Sequence, residues 1–133
     1  MHAVSNSAIY AGLNALIILV LAGICVLRRR STRTGTGDGG HTILTKAIRA
    51  HGNNVEYVPT ALILIVILEL MGGSSGLVHG LGILLTVSRI SHAYGILSHL
   101  GTSPGRFLGT TGTWLVYVVG AISCIYLGIT AIT

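Results

Sequence analysis

The sequence predicts an all-α integral membrane protein, a four-helix bundle built as a single domain over residues 1–133. Three observations carry that reading. Only 8% of the residues are charged, against about 25% in an ordinary soluble domain. Apolar residues make up 51% of the chain. They collect into four runs, at residues 8–27, about 47–71, 77 to about 97 and 107 to about 129. Each run approaches the roughly 20 residues a helix needs to cross a bilayer. Barrel strands are half that length and alternate in polarity, which excludes a barrel. The net charge of +5 therefore does not signify nucleic-acid binding.

The first run is followed, not preceded, by positive charge, in "CVLRRRSTR". A cleaved signal peptide has the opposite order, so this helix is expected to stay as an anchor. The polar link "RRRSTRTGTGDGGHTILTK" is expected to be a flexible loop, with Gly35, Gly37, Gly39 and Gly40 and a turn at Asp38. It lacks the lysine and strand context of a phosphate-binding P-loop. In the second helix Pro59 is expected to kink the axis or free backbone bonding near residue 55. Gly76, Gly80 and Gly82 in the third helix, and Gly112, Gly120 and Gly128 in the fourth, suit close helix packing; "GLVHG" fits a small-xxx-small contact. "GTSPG" is a tight link before Arg106 opens the fourth helix.

Basic residues orient a membrane chain. Arg28, Arg29, Arg30, Arg33 and Lys46 crowd the first link, Arg106 follows the third, and the second link "GGSSG" has none. The first and third links are therefore expected in the cytoplasm, and both termini on the other side. Cys25 and Cys124 then fall near opposite faces, too far apart to pair, and serve as small apolar fillers. The cysteines and scattered histidines form no zinc-spaced cluster.

The chemistry-bearing residues begin at the mouth of the second helix. Arg49, Asn53 and Glu56 are spaced by four and three, share one face, and are continued by Thr60. Arg49 can snorkel. Glu56, about two turns deeper, needs a partner or water. One reading is a structural ion network between helices. The other is a hydrophilic ligand site, with Arg49 gripping a carboxylate, Asn53 using its amide both ways and Glu56 accepting from an ammonium. Arg89 and His92 share a face of the third helix, and Arg89 is the expected partner of Glu56 or of an anionic ligand. His92 either joins them or only bonds between helices. Arg106 is either a surface cation facing phosphate or a cation over the pocket mouth that favours a thiolate. Glu69 is expected at the far interface or against His79; Tyr94 marks the interface and His99 a loop edge. Trp114, Tyr117 and Tyr126 are read as packing or interface anchors.

The motif "RAHGNNVEYVP", followed by "SRISHAYG", resembles the MAPEG family, the membrane-associated proteins in eicosanoid and glutathione metabolism, and is most similar to its small bacterial members. The resemblance spans nearly the whole chain and rests on the pattern Arg-x3-Asn-x2-Glu-Tyr. It implies a homotrimer of four-helix subunits, with glutathione as co-substrate between neighbours near the cytoplasmic side. By the same resemblance Arg49, Asn53, Glu56, Tyr57 and Arg89 match the glutathione-holding residues. Arg106, after a one-residue shift, matches the arginine that activates the thiol. Where the eukaryotic enzymes carry tyrosines, or a histidine and a tyrosine, three and seven residues beyond the helix-three arginine, this chain has His92 and Ile96.

The function implied is a membrane-bound glutathione-dependent transferase, or a peroxidase. It would join the thiolate to a lipophilic small molecule from the surrounding membrane lipid, as a multi-pass protein of a bacterial inner membrane. The alternative is a non-catalytic binding or scaffold module for a small anionic ligand. A transporter is disfavoured by four helices per subunit and the lack of an inverted repeat.

Overall fold

The computed structural model describes residues 4–99 and 101–132. They form four helices: α1 (Ser5–Thr32), α2 (Thr42–Leu70), α3 (Ser75–Ser98) and α4 (Pro104–Ile132). Each is long and apolar enough to cross a membrane, as the apolar runs predict. The ends are another matter. α1 continues for five residues past residue 27 and α2 begins five before residue 47. An apolar run marks the edge of the hydrocarbon, whereas arginine and lysine are good helix formers that carry a helix beyond it. Arg29 and Arg30 in the last turn of α1 also suit the negative end of its dipole.

The first link thus shrinks to residues 33–41 and is braced rather than flexible. Arg33 takes a left-handed conformation (φ 52°) and caps α1 through its backbone N–H. Arg29 Nη1 donates to the carbonyls of Gly35 and Gly37, at 3.3 and 2.9 Å. Asp38 accepts from the Gly40 N–H at 3.0 Å and the Thr45 hydroxyl at 2.8 Å. Those bonds, the Gly40 N–H first, hold the Asp38 carboxyl below the usual carboxylate range. Gly37, Gly39 and Gly40 all have positive φ, the conformation glycine reaches without a Cβ clash.

α2 runs without interruption through Pro59. Ser74 caps α3, its Oγ accepting from the Leu77 N–H at 3.3 Å. At the start of α4, Ser103 Oγ accepts from the Arg106 N–H at 3.3 Å, and Pro104 occupies the first helical position, where its missing N–H costs nothing.

α2 and α3 are the central pair. α1 and α4 each pack on both, and α1 and α4 make no contact with each other among the described residues. Ala61, Ile65 and Leu68 of α2, Val78, Leu81 and Leu85 of α3, and Val116 of α4 form the main core. Leu21, Ala50, Ala93 and Ile96 form a second cluster beneath α1. α4 lies hard against α3 because Gly109 has no side chain: a Cβ there would sit 2.5 Å from both His92 Cβ and the Ser88 carbonyl oxygen. Gly82 makes room in the same way for the Tyr10 ring. Gly76 and Gly80 face open space, so "GLVHG" is not a contact within the subunit.

The helices alternate in direction, so α1's start, α2's end and α3's start meet. There Glu69 accepts from the backbone N–H groups of Asn6 and Ser7, at 2.9 and 2.8 Å. Glu69, expected at the far interface or against His79, lies at that far end and caps α1: the free N–H groups of a helix start are natural carboxylate partners. His79 Nδ1 instead pairs with the Tyr10 hydroxyl at 2.7 Å. Cys25 and Cys124 are free thiols. The Lys and Arg residues other than Arg89 gather at the opposite end of the bundle.

Candidate functional site

At that basic end, α2, α3 and α4 enclose a cleft of about 320 Å³. α2 contributes Thr42, Thr45, Lys46, Arg49 and Asn53; α3 and its end contribute His92, Ile96 and His99; α4 contributes Arg106. The close approach of α3 and α4 at Gly109 brings His92 and Arg106 to the same wall. Lys46, Arg49 and Asn53 are spaced by three and four, so they line the other wall in one stripe. Among the described residues, three cations border the cleft and no carboxylate does.

Behind Asn53 lies Arg89, 1% exposed. Its Nη2 donates to Asn53 Oδ1 at 2.9 Å, and its guanidinium stands over the Tyr57 ring, 5.7 Å from the centroid. The Tyr57 ring packs against that of Tyr117 at 5.9 Å, and the Tyr117 hydroxyl donates to the Tyr57 carbonyl at 2.8 Å. The arginine is therefore compensated by an amide oxygen and a ring face. Its Nε has no partner among the described residues. With its oxygen engaged by Arg89, the Asn53 amide keeps its N–H donors for a ligand. Lys46, Arg49, Arg106 and Asn53 together make a lining rich in donors, suited to an anion. His92, 5% exposed, adds an Nδ1 that also lacks a partner among the described residues.

Arg106 is half-buried. One of its guanidinium nitrogens, Nη1, donates to the Gly101 carbonyl at 2.7 Å. Arg106 and His92 also border a second cleft, of about 330 Å³, whose far wall is Phe107, Thr110 and Trp114 of α4. A polar and a largely apolar recess thus share one wall.

The structure brings Arg49, Asn53, His92 and Arg106 to the cleft, and joins Arg89 and Tyr57 to it through Asn53. It does not bring in Glu56. The expected pairing of Arg89 with Glu56 is not formed; Arg89 is bonded to Asn53. The reason is angular. The buried residues Ala47, Ala50, Asn54 and Val58 define the inner face of α2. At about 100° per residue, Asn53 and Tyr57 flank that face, while Glu56 lies nearly opposite it; Arg49, a turn nearer the end of the bundle, still borders the cleft. Glu56 is exposed, and among the described residues none pairs with its carboxylate.

The sequence points to Lys46 only as a topology signal and to Tyr117 as a packing or interface anchor. The spacing of Lys46 from Arg49 carried the first signal. Nothing local to Tyr117 announces its bond to α2.

The chain matches the MAPEG family over residues 7–126, a stretch that reaches from α1 into α4. It is 40% identical over 108 residues to inner membrane protein YecN of Escherichia coli strain K12, with 81% of each chain covered. It is similar to the same extent to the YecN protein of E. coli O6:H1 strain CFT073.

Proposed function

The chain belongs to the MAPEG family, and on that premise we propose that it is a membrane-bound glutathione-dependent transferase of the bacterial inner membrane. The observation that carries the reading is the donor-rich cleft: Lys46, Arg49, Arg106 and Asn53, with no carboxylate among them. Glutathione is a tripeptide with two carboxylates, an ammonium and a thiol. Arg49 and Lys46 take the carboxylates, Asn53 donates to the peptide, and Arg89 and Tyr57 hold Asn53 in that orientation. The exposed Glu56 takes the ammonium, at a boundary between subunits of a trimer. The positive-inside pattern puts the cleft at the cytoplasmic end and both termini on the other side.

Arg106 then acts on the sulfur. A cation beside a thiol favours its ionised form, so the proton leaves to solvent. The thiolate attacks an electrophilic carbon, the carbon–sulfur bond forms, and the leaving group departs with its bonding pair. The lipophilic electrophile approaches from the membrane through the recess bordered by Phe107 and Trp114. His92 and Arg106, on the shared wall, place the two reactants in contact. A hydroperoxide is a second substrate class: two thiols reduce one O–O bond and yield a disulfide, an alcohol and water.

The rival reading is a non-catalytic module that binds a small anion, favoured by the bond of Arg106 to the Gly101 carbonyl, which engages part of the guanidinium elsewhere. Purified protein in proteoliposomes, given glutathione and a lipophilic aryl halide, separates the two. A thioether product whose rate falls at least tenfold in Arg106→Ala supports the transferase. Glutathione binding with no product from aryl halides or hydroperoxides supports the module, and absence of glutathione binding overturns the transferase.

A further inference from the structure

Outside the cleft, α1 and α3 leave between them an apolar groove of about 440 Å³. Its walls include Leu13, Val20 and Ile24 on α1, and Ile90, Tyr94 and Leu97 on α3. Among the described residues, the only polar side chains on it are those of Thr86 and Tyr94, and the Thr86 hydroxyl is already engaged with the Gly82 carbonyl and Asn14. Ile24 and Leu97 also border a smaller recess, of about 190 Å³, together with Arg28, Ile43 and Lys46. The groove therefore runs on, through residues common to both, into a basic recess at the end of the bundle.

The geometry matches one leaflet. From Leu13 to Ile24 the groove follows α1 for about 16 Å, close to half of the roughly 30 Å hydrocarbon core. Arg28 lies one turn beyond Ile24 on the same face, where a headgroup begins. Lys46 reaches the same level from α2, its Nζ 3.4 Å from the Leu97 carbonyl. Among the described residues no group pairs with the Arg28 guanidinium, and no carboxylate lines either recess.

We propose that the α1–α3 groove is a binding site for an anionic phospholipid, with one acyl chain lying along Leu13–Ile24 and the phosphodiester held between Arg28 and Lys46. Apolar burial along the groove fits any chain. The two cations at its head select negative charge over a zwitterion, and place the lipid in the leaflet at the basic end. The site shares Lys46 with the cleft, but neither Arg106 nor His92 borders it.

The test uses the full chain in vesicles of phosphatidylcholine containing a trace of either phosphatidylglycerol or phosphatidylcholine with a diazirine on the acyl chain. Adducts are mapped by mass spectrometry after irradiation. The expected result is phosphatidylglycerol adducts concentrated on Val20, Ile90, Tyr94 and Leu97, with phosphatidylcholine adducts several-fold fewer. Arg28→Gln and Lys46→Gln should each lower the phosphatidylglycerol yield about fivefold. Ile90→Trp, which fills the groove and leaves both cations in place, should remove the groove adducts while those on the lipid face of α4 persist. Equal labelling by the two lipids, equal labelling of the groove and the α4 face, or cross-links showing a second copy of the chain in the groove would each overturn the proposal.

Discussion

Two glutamates on α2 have opposite surroundings. Glu69, at the end remote from the basic residues, spends both oxygens on the backbone N–H groups that open α1. Glu56, at the middle of the same helix, is exposed, and among the described residues none pairs with it. A charged side chain facing lipid at mid-span costs about 3 kcal/mol on insertion scales, so Glu56 requires something from outside the subunit. The contrast holds for the two ends as wholes. One end closes its polar groups within the subunit: Glu69 on α1, and Tyr10 on His79. The other leaves a donor-rich cleft open, with His92 Nδ1 and Arg89 Nε unpaired among the described residues. The closed end is a structural joint, and the open end is where we propose that a ligand and a neighbouring subunit complete the site.

The sharpest way to break this comparison is to exchange the expected consequences of the two glutamates. Glu69→Ala strands two N–H groups at the start of α1 and should cost about 2–3 kcal/mol of stability, seen as a lower thermal midpoint in detergent. Glu69→Gln, which keeps one acceptor, should recover part of it. Glu56→Ala should leave that midpoint within the scatter of surface substitutions and lower glutathione affinity by about tenfold. If Glu56→Ala instead unfolds the subunit, the open end is structural too.

A smaller effect is expected at Tyr10. Tyr10→Phe keeps the ring over Gly82 and removes only the hydrogen bond to His79, a loss of about 1 kcal/mol in the same melting experiment. Smallest of all is the link at Asp38. Its carboxyl is held below the usual range, chiefly by the Gly40 N–H and then by the Thr45 hydroxyl. The folded value thus lies below the unfolded one. The contribution is complete above the ordinary carboxylate value and is lost as pH falls through the lowered folded value. Asp38→Asn should remove that acid-side slope, lowering the neutral-pH midpoint slightly and leaving the low-pH midpoint nearly unchanged.

The spans were legible because the bilayer imposes a length, and four apolar runs meet it. Helix ends were not, because residues 28–32 and 42–46, beyond the apolar runs, stay helical. The polar stripe of α2 was legible as a stripe, and Asn53 and Arg89 do meet. What the spacing did not reveal was its direction. Asn53 and Glu56 differ by about 60° around the axis, enough to put one beside Arg89 and the other outside. Glu69 was visible as a charge at a helix end, yet its partner is backbone, which carries no sequence signal. The family motif drew attention to Tyr57, but its contact with Tyr117 joins helices far apart in the chain and depends on their packing.

The central claim is that the cation-lined cleft binds glutathione and favours its thiolate. The most direct measurement is the ultraviolet thiolate absorbance of glutathione titrated into the purified protein at neutral pH. Saturable growth of that signal is predicted, abolished in Arg106→Ala at an unchanged melting midpoint and weakened in Arg49→Ala. A signal absent from the unmodified protein, or unaffected by either substitution, would contradict it.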